Sequence, residues 1–535
     1  MFRNRKALLF GALLFYLYFR GTGDHGLIDP LEGINASIAL HMSAGGNRFI
    51  PRIGEAFAAG RSMGTWWLEA LALKIFGWSE FAVRFFPALS GLIMIWASAI
   101  ASHDSELLVK RTRASWLSAS ICAGMTICFT VSQLASPHAI FAALMSITMA
   151  GIVRYRESKR WLFLSHFAST FSFIAFGFEG LMLTWIAVIA YSVLADDTDT
   201  LRDFFTWPPG MIFTVSVSGI YFLLLMIINT DIIQFMHCRI HTYSFGGIAG
   251  MCIFAFVGFM PFHGFILRAL YEVIPGEYPA KKSPEVFMLV WAFVFGVSAV
   301  ISGDMLMLSC TAAPLSSILG RKLDVWLDRK SLYPVIISVM LNILLLVPVV
   351  FMILPFMMNA FPVIKISMLS LIPWGITTGL FLFASWYYTK TRQIEKWVRN
   401  VPGAALLCLM PLAGVFSLTA SSYSVRDIGL RLRDYVKGND RVIQYSVNYP
   451  SVYFYSFRNS GLIDAELMQG IAEKKFITDE EELNRLWNGK ERVFMIIPIE
   501  RSVNKSLPKN IFSILESNGM LLISNQKNEQ STYNK

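Results

Sequence analysis

Apolar residues along the chain gather in long runs separated by short polar stretches. Thirteen of these runs approach or meet the length of a membrane-crossing helix, at 7–19, 82–101, 115–133, 136–153, 161–177, 180–195, 209–228, 247–267, 285–302, 305–320, 332–357, 364–388 and 401–419. The yardstick is about 20 apolar residues for a hydrocarbon core roughly 30 Å thick. The first run is short and follows Arg3, Arg5 and Lys6, as a signal peptide would, but no small-x-small cleavage site comes after it. The chain runs on into Arg20-Gly-Thr-Gly-Asp24, so the segment reads as a retained signal anchor. Beyond Ala420 the pattern changes. Val442–Ser446 and Val493–Ile497 read as strands, and Glu480–Trp487 and Asn510–Ser517 as amphipathic helices. The pattern predicts a mainly α, polytopic membrane module over 1–419. A small α/β domain follows over 420–525, then a polar, disordered tail over 526–535.

Composition agrees. Of 535 residues, 55% are hydrophobic and only 15% charged, with a mean hydropathy of +0.53. A soluble domain carries about a quarter charged residues, so this chain lacks the polar surface to cover itself in water. The net charge of +10 does not point to nucleic acid, because the basic residues sit in short loops between apolar runs. With the N-terminus inside, every expected cytoplasmic connection is basic: Lys110/Arg111/Arg113, Arg154/Arg156/Lys159/Arg160, Arg202, Arg268/Lys281/Lys282, Arg321/Lys322/Arg329/Lys330 and Lys390/Arg392/Lys396/Arg399. The short outer connections near 134, 178, 303 and 360 carry no Lys or Arg. This is the positive-inside bias. It puts two segments outside, the first loop over 20–81 and everything after Ala420. The six cysteines are scattered, mostly within apolar runs, and form neither a disulfide framework nor a zinc spacing.

Ionisable residues at the outer ends of membrane helices are functional candidates, because burying them near lipid is costly. Asp29 and Glu32 open the first outer loop, in Gly26-Leu-Ile-Asp-Pro-Leu-Glu-Gly-Ile-Asn35. One reading makes Asp29 the N-cap and Glu32 the N3 residue of a helix that starts after Pro30, close to a capping box. The other makes the pair a carboxylate general base at the membrane surface. Composition does not choose between them. His237 and His241, at i and i+4 around Cys238, present a zinc-like face with no clear third ligand, so an interfacial loop is the simpler reading. His25 and His41 are loop polar residues or acceptor contacts. The 43 Phe, 14 Trp and 18 Tyr fit lipid-facing packing and an interfacial belt.

The order of motifs in the first outer loop resembles the bacterial GT-C glycosyltransferases, in particular the aminoarabinose transferases and the related protein O-mannosyltransferases. Asp29-Pro-Leu-Glu32 is followed by His41-Met-Ser-Ala-Gly-Gly-Asn-Arg-Phe-Ile-Pro-Arg52, then Trp66-Trp67, then Phe76-Gly-Trp-Ser-Glu-Phe-Ala-Val-Arg84. The family shows an acidic motif, a Met-x-x-x-Gly segment, a Pro-Arg and a Phe-Gly-x-x-Glu-Phe-x-x-Arg phrase in that order. The tail is similar too, in Asp479–Trp487, Arg492–Ile497 and Leu521–Gln526.

The resemblance implies a GT-C fold and transfer of a sugar from a polyprenyl-phosphate donor to an envelope lipid, glycan or protein, at the periplasmic face of the bacterial inner membrane. It implies no cofactor and leaves a divalent metal open. Asp29 matches the family's catalytic aspartate and Glu32 its second acidic position. The family's phosphate-binding Lys falls on Arg61, with Arg52 and Arg84 as further phosphate candidates. Elsewhere the chain departs from the family. Glu179 stands where the family has Lys before Gly, Asp304 replaces the Lys of a Lys-Leu-Pro segment, and Gln133 and His138 replace an Arg and an Asp. A basic-to-acidic change in a phosphate site exchanges attraction for repulsion. Either Glu179, Asp304 and His138 contact the substrate, with the two acids recognising an amine or pairing with arginines, or the chain is an inactive relative that binds lipid-linked glycan or serves as an assembly subunit. A secondary transporter would show internal repeats and matched broken helices, and no such symmetry is visible.

Overall fold

The computed structural model describes residues 2–45, 52–53, 56–57, 63–103, 112–228, 254–274, 283–329, 333–344, 365–393, parts of 396–414, 424–437, 440–444, 449–456, 480–499 and 511–527. The chain forms two compact units. One comprises Met1–Thr22, Arg61–Thr65 and Phe85–Phe416; the other comprises Gly23–Gly60, Trp66–Arg84 and Ser417–Lys535.

The first unit is helical. Among the described residues, Glu80–Ala101, Pro137–Arg154, Pro208–Ile227 and Pro284–Ser302 are long and apolar enough to cross a membrane. A fifth span is formed if Arg113–Gly124 and Thr126–Ser132, bent by 61° at Met125, count as one. Shorter apolar helices run over Leu8–Phe19, Glu179–Ala195 and Tyr333–Leu344. The segment expected to span 305–320 begins as a 3-10 turn over Met305–Thr311 and becomes α-helical over Ala312–Asp328. The chain is thus a multi-pass membrane protein. Leu8, Val193, Ile227 and Phe293 stand open on the outward faces, where lipid rather than water accounts for them. Inside, Phe129, Phe141, Trp291 and Phe295 are buried.

Small polar residues draw helices together where lipid supplies no hydrophobic drive. Ser98 Oγ lies 2.7 Å from Ser316 Oγ and 3.2 Å from Ser317 Oγ. Serine side chains cap helix starts at Ser136, Ser158 and Ser283, each accepting a backbone N–H of the first turn. Basic residues pair with acids, as in Arg156–Asp197, Lys159–Asp203 (both 2.6 Å) and Arg321–Glu285.

The second unit gathers the start of the first loop, the helix Met63–Phe76 from Trp66 onward, the first turn of Glu80–Ala101, and the C-terminal segment. Two short strands, β1 (Arg52–Ile53) and β2 (Ala56–Phe57), pair antiparallel. A four-stranded sheet is built from β3 (Arg441–Gln444), β4 (Val493–Pro498), β5 (Phe512–Ser517) and β6 (Met520–Ser524), in the order β3-β4-β6-β5. Only β3 and β4 run parallel. Strand β4 is apolar throughout because both its faces are covered. Phe494 and Ile496 pack with Ile428 and Leu432 of the helix Arg426–Tyr435, and Val493, Met495 and Ile497 pack with Trp487 and Ile523.

The expected strands near 442 and 493 and the helix Glu480–Trp487 are present. The expected helix over 510–517 is not: Phe512–Ser517 is a strand. Asn518 and Gly519, at φ 51° and 73°, make a two-residue turn that folds it back onto β6. Positive φ at both central residues is the hairpin geometry that suits Asn-Gly. A register shift between Ser513 and Leu515 breaks the two-residue alternation and makes the spacing look helical.

Candidate active site

Within the second unit the sequence builds a cluster of acids from three short pieces. The helix Leu31–Ser43 starts at Pro30, whose side chain supplies no cap. Asp29 therefore is not the N-cap, and the capping box takes another form: Glu32 Oε2 accepts the N–H of Ile28 at 2.8 Å. The second piece is the break between two helices. Gly77, at φ +79°, lets the helix Met63–Phe76 turn away. Ser79 Oγ then accepts the N–H of Ala82 at 3.3 Å, opening Glu80–Ala101. That places Arg84 one turn into the new helix.

Arg84 is wholly buried and grips Glu32 with a fork, Nε to Oε1 at 2.8 Å and Nη2 to Oε2 at 2.6 Å. Its remaining reach goes to the carbonyls of His25 and Gly26, both at 2.9 Å. A planar guanidinium suits this bidentate geometry. Glu32 also has no exposure, so the pair is a fixed strut of the loop.

Asp29 is different. It is half-buried, and both its oxygens are met by Ser451 of the third piece, the short helix Ser451–Ser456. The Ser451 N–H donates to Oδ1 at 3.0 Å and the Ser451 hydroxyl donates to Oδ2. Gly33 leaves room for this approach; a methyl group there would collide with Asp29 Oδ1 and stand 2.6 Å from the Ser451 nitrogen. Burial pushes the Asp29 carboxyl up to about 7, against the two Ser451 hydrogen bonds, with the Glu32 charge adding to the rise. A carboxyl poised there is charged for part of the time at neutral pH and takes up a proton readily.

Neighbouring groups complete the setting. Glu69 is fully buried, with neither oxygen hydrogen-bonded among the described residues. Burial first, then the Glu32 charge, raises its carboxyl well above the usual range. His25 is pushed down to about 4 by burial and then by the Arg84 charge, so its ring is neutral. Trp66 Nε1 donates to Asn35 Oδ1 at 2.9 Å. The Leu27 N–H donates to the Tyr455 hydroxyl at 2.7 Å.

The structure thus brings Asp29, Glu32 and Arg84 together. Arg61 and the side chain of Arg52 lie outside the described residues, as do His237, Cys238 and His241. His138, Asp304 and Glu179 belong to the first unit. There His138 Nε2 meets Asp304 Oδ2 and His138 Nδ1 meets Ser136 Oγ, both at 2.6 Å, with Phe176 edge-on to the imidazole at 5.2 Å. Asp304 therefore pairs with a histidine. Glu179 is buried at the start of Glu179–Ala195, and Gln133 Nε2 donates to the Tyr18 carbonyl at 2.8 Å. Among the described residues no three His, Cys, Asp or Glu side chains are grouped to hold a metal. Sequence reasoning missed Ser451 and Glu69. No local signal marks Ser451, since the residue it serves lies 422 positions earlier.

The fold is similar to that of solved structures. The crystal structure of ArnT from Cupriavidus metallidurans in the apo state superposes with a TM-score of 0.75 at 15% identity, covering 98% of this chain and 99% of that one. The same protein bound to undecaprenyl phosphate gives 0.74 at 15% identity, covering 97% and 98%. The chain has the GT-C glycosyltransferase fold. No family model matches the chain. An uncharacterized protein of Aquifex aeolicus (strain VF5) is 23% identical over 307 residues, 56% of this chain. The chain spans 59% of the length of that curated relative. In the GT-C fold seen here, the acids of the first loop and the C-terminal segment belong to one compact unit.

Proposed function

We propose that this chain is a glycosyltransferase that moves a sugar from a polyprenyl-phosphate donor to an envelope lipid, glycan or protein at the periplasmic face of the bacterial inner membrane. The observation that carries the reading is Asp29, a half-buried carboxyl raised to about 7 and held at both oxygens. It sits in a chain with the fold of ArnT, a protein whose crystal structure includes bound undecaprenyl phosphate. In the proposed step an acceptor hydroxyl attacks the anomeric carbon of the donor and gives its proton to Asp29. The bond from that carbon to the phosphate oxygen breaks, and the electron pair leaves with the polyprenyl phosphate. Glu32 and Arg84 hold the loop that carries Asp29. Arg61 and Arg52 are the proposed phosphate ligands. The thirteen-span topology, with the N-terminus cytoplasmic and the C-terminal domain periplasmic, belongs to the same reading.

The test is transfer from a mixed polyprenyl-phosphate-sugar pool in membranes containing wild type or Asp29→Asn, read by mass spectrometry of lipids, glycans and proteins. Wild type forms an adduct whose rate rises through about pH 7 as Asp29 ionises, and Asp29→Asn forms none. An adduct that survives the substitution moves the base elsewhere. Absence of any adduct with wild type favours an inactive relative that binds lipid-linked glycan.

A further inference from the structure

We propose that Ser451 is a positioning residue of the transfer site, supplied by the C-terminal segment to aim the Asp29 carboxylate. This inference rests on the transferase reading given above. Ser451 is fully buried and makes two contacts to one carboxylate, through its N–H to Oδ1 and its hydroxyl to Oδ2. Each carboxylate oxygen has two lone pairs, so this grip fixes the plane of the group and leaves one lone pair on each oxygen for an incoming hydroxyl. Ser451 itself gains and loses no proton in the reaction.

The grip is built rather than incidental. Ser37 Oγ donates to the Pro450 carbonyl at 2.8 Å, tying the residue before Ser451 to the helix that follows Asp29. On the other side, Gln444 of β3 holds Tyr449 twice: its Oε1 accepts the Tyr449 N–H at 2.7 Å and its Nε2 donates to the Tyr449 carbonyl at 3.1 Å. Gly33 keeps open the space through which Ser451 reaches Asp29. The charged group that acts on Asp29 is Glu32, in the helix that follows it, and the Asp29 charge in turn raises the Tyr449 hydroxyl from the tail. Neither donates the bonds that orient it.

A hydrogen bond to a charged group favours that charged form. Removing the hydroxyl therefore shifts the Asp29 titration to higher pH, by about one pH unit or more. The experiment uses full-length wild type, Ser451→Ala and Ser451→Cys, with two readouts. One is the pH profile of sugar transfer. The other is the titration of the Asp29 carboxyl by infrared difference spectroscopy against Asp29→Asn. Cysteine keeps the volume but offers only a weak donor, so it separates the lost hydrogen bond from lost packing. The expected result is that the acid limb and the carboxyl titration both move upward in the two variants, with the rate recovering at alkaline pH. A limb and titration that coincide with wild type in both variants overturn the proposal. A titration that moves in a chain that transfers nothing upholds the Ser451–Asp29 link and overturns the transferase reading.

Discussion

Arg84 and Glu32 show how much one buried ion pair asks of its surroundings. Neither side chain reaches solvent, so each charge depends on the other, Arg84 also on the carbonyls of His25 and Gly26 and Glu32 on the Ile28 N–H. Removing one partner from such a pair costs about 3–5 kcal/mol, because the other charge is left buried and unpaired. Replacing both with apolar side chains of similar size is nearly neutral. Arg84→Ala is therefore expected to lower thermal stability by on the order of 3 kcal/mol. The double change Arg84→Met with Glu32→Leu should recover most of that loss in a detergent melting assay. Equal losses in the single and double variants would show that the carbonyl contacts of Arg84, rather than its pairing with Glu32, hold the loop. The pairing itself was hidden in the sequence. Arg84 stood out there as a basic residue beside a possible phosphate, and Glu32 as half of a capping box. Their separation of 52 positions lies beyond any periodicity that a reading of local pattern can use.

At the level of elements, legibility followed the strength of the local signal. The helix Glu480–Trp487 and the strand Val493–Pro498 were readable because their apolar spacing is regular. Phe512–Ser517 has the spacing of a helix because its bulge disturbs the alternation, while the Asn-Gly turn beside it carries the better information. The capping-box pattern puts the start of the Leu31–Ser43 helix one residue early. Pro30 takes the cap position, and Asp29 turns to Ser451 instead. The fit between that helix and the Ser451–Ser456 turn depends on the bare backbone of Gly33. Gly33→Ala should push the two apart at a cost of about 1–3 kcal/mol. The expected result is at least a tenfold loss of transfer with helical content unchanged by circular dichroism. Wild-type rates in Gly33→Ala would mean that the turn and helix separate without harm to the site.

For the molecule as a whole, the alternation of basic and uncharged connections predicts which side of the membrane each loop occupies. In a background without native cysteines, Asn488→Cys should react with an impermeant thiol reagent from the outer face, and Arg392→Cys only after the membrane is opened. Labelling of Arg392→Cys in intact cells would reverse the proposed orientation. The fold carries a further consequence for how the molecule is made. Asp29 is synthesised early, but the serine that grips it arrives 422 residues later, after the apolar runs have been made. Closing so long a loop is a late and non-local event. The first loop thus waits without its partner while each apolar run is inserted, and a half-made chain holds an aspartate that nothing aims. On the transferase reading, a copy whose far end settles on the other side of the membrane from its beginning would leave Asp29 without the two Ser451 hydrogen bonds that orient it.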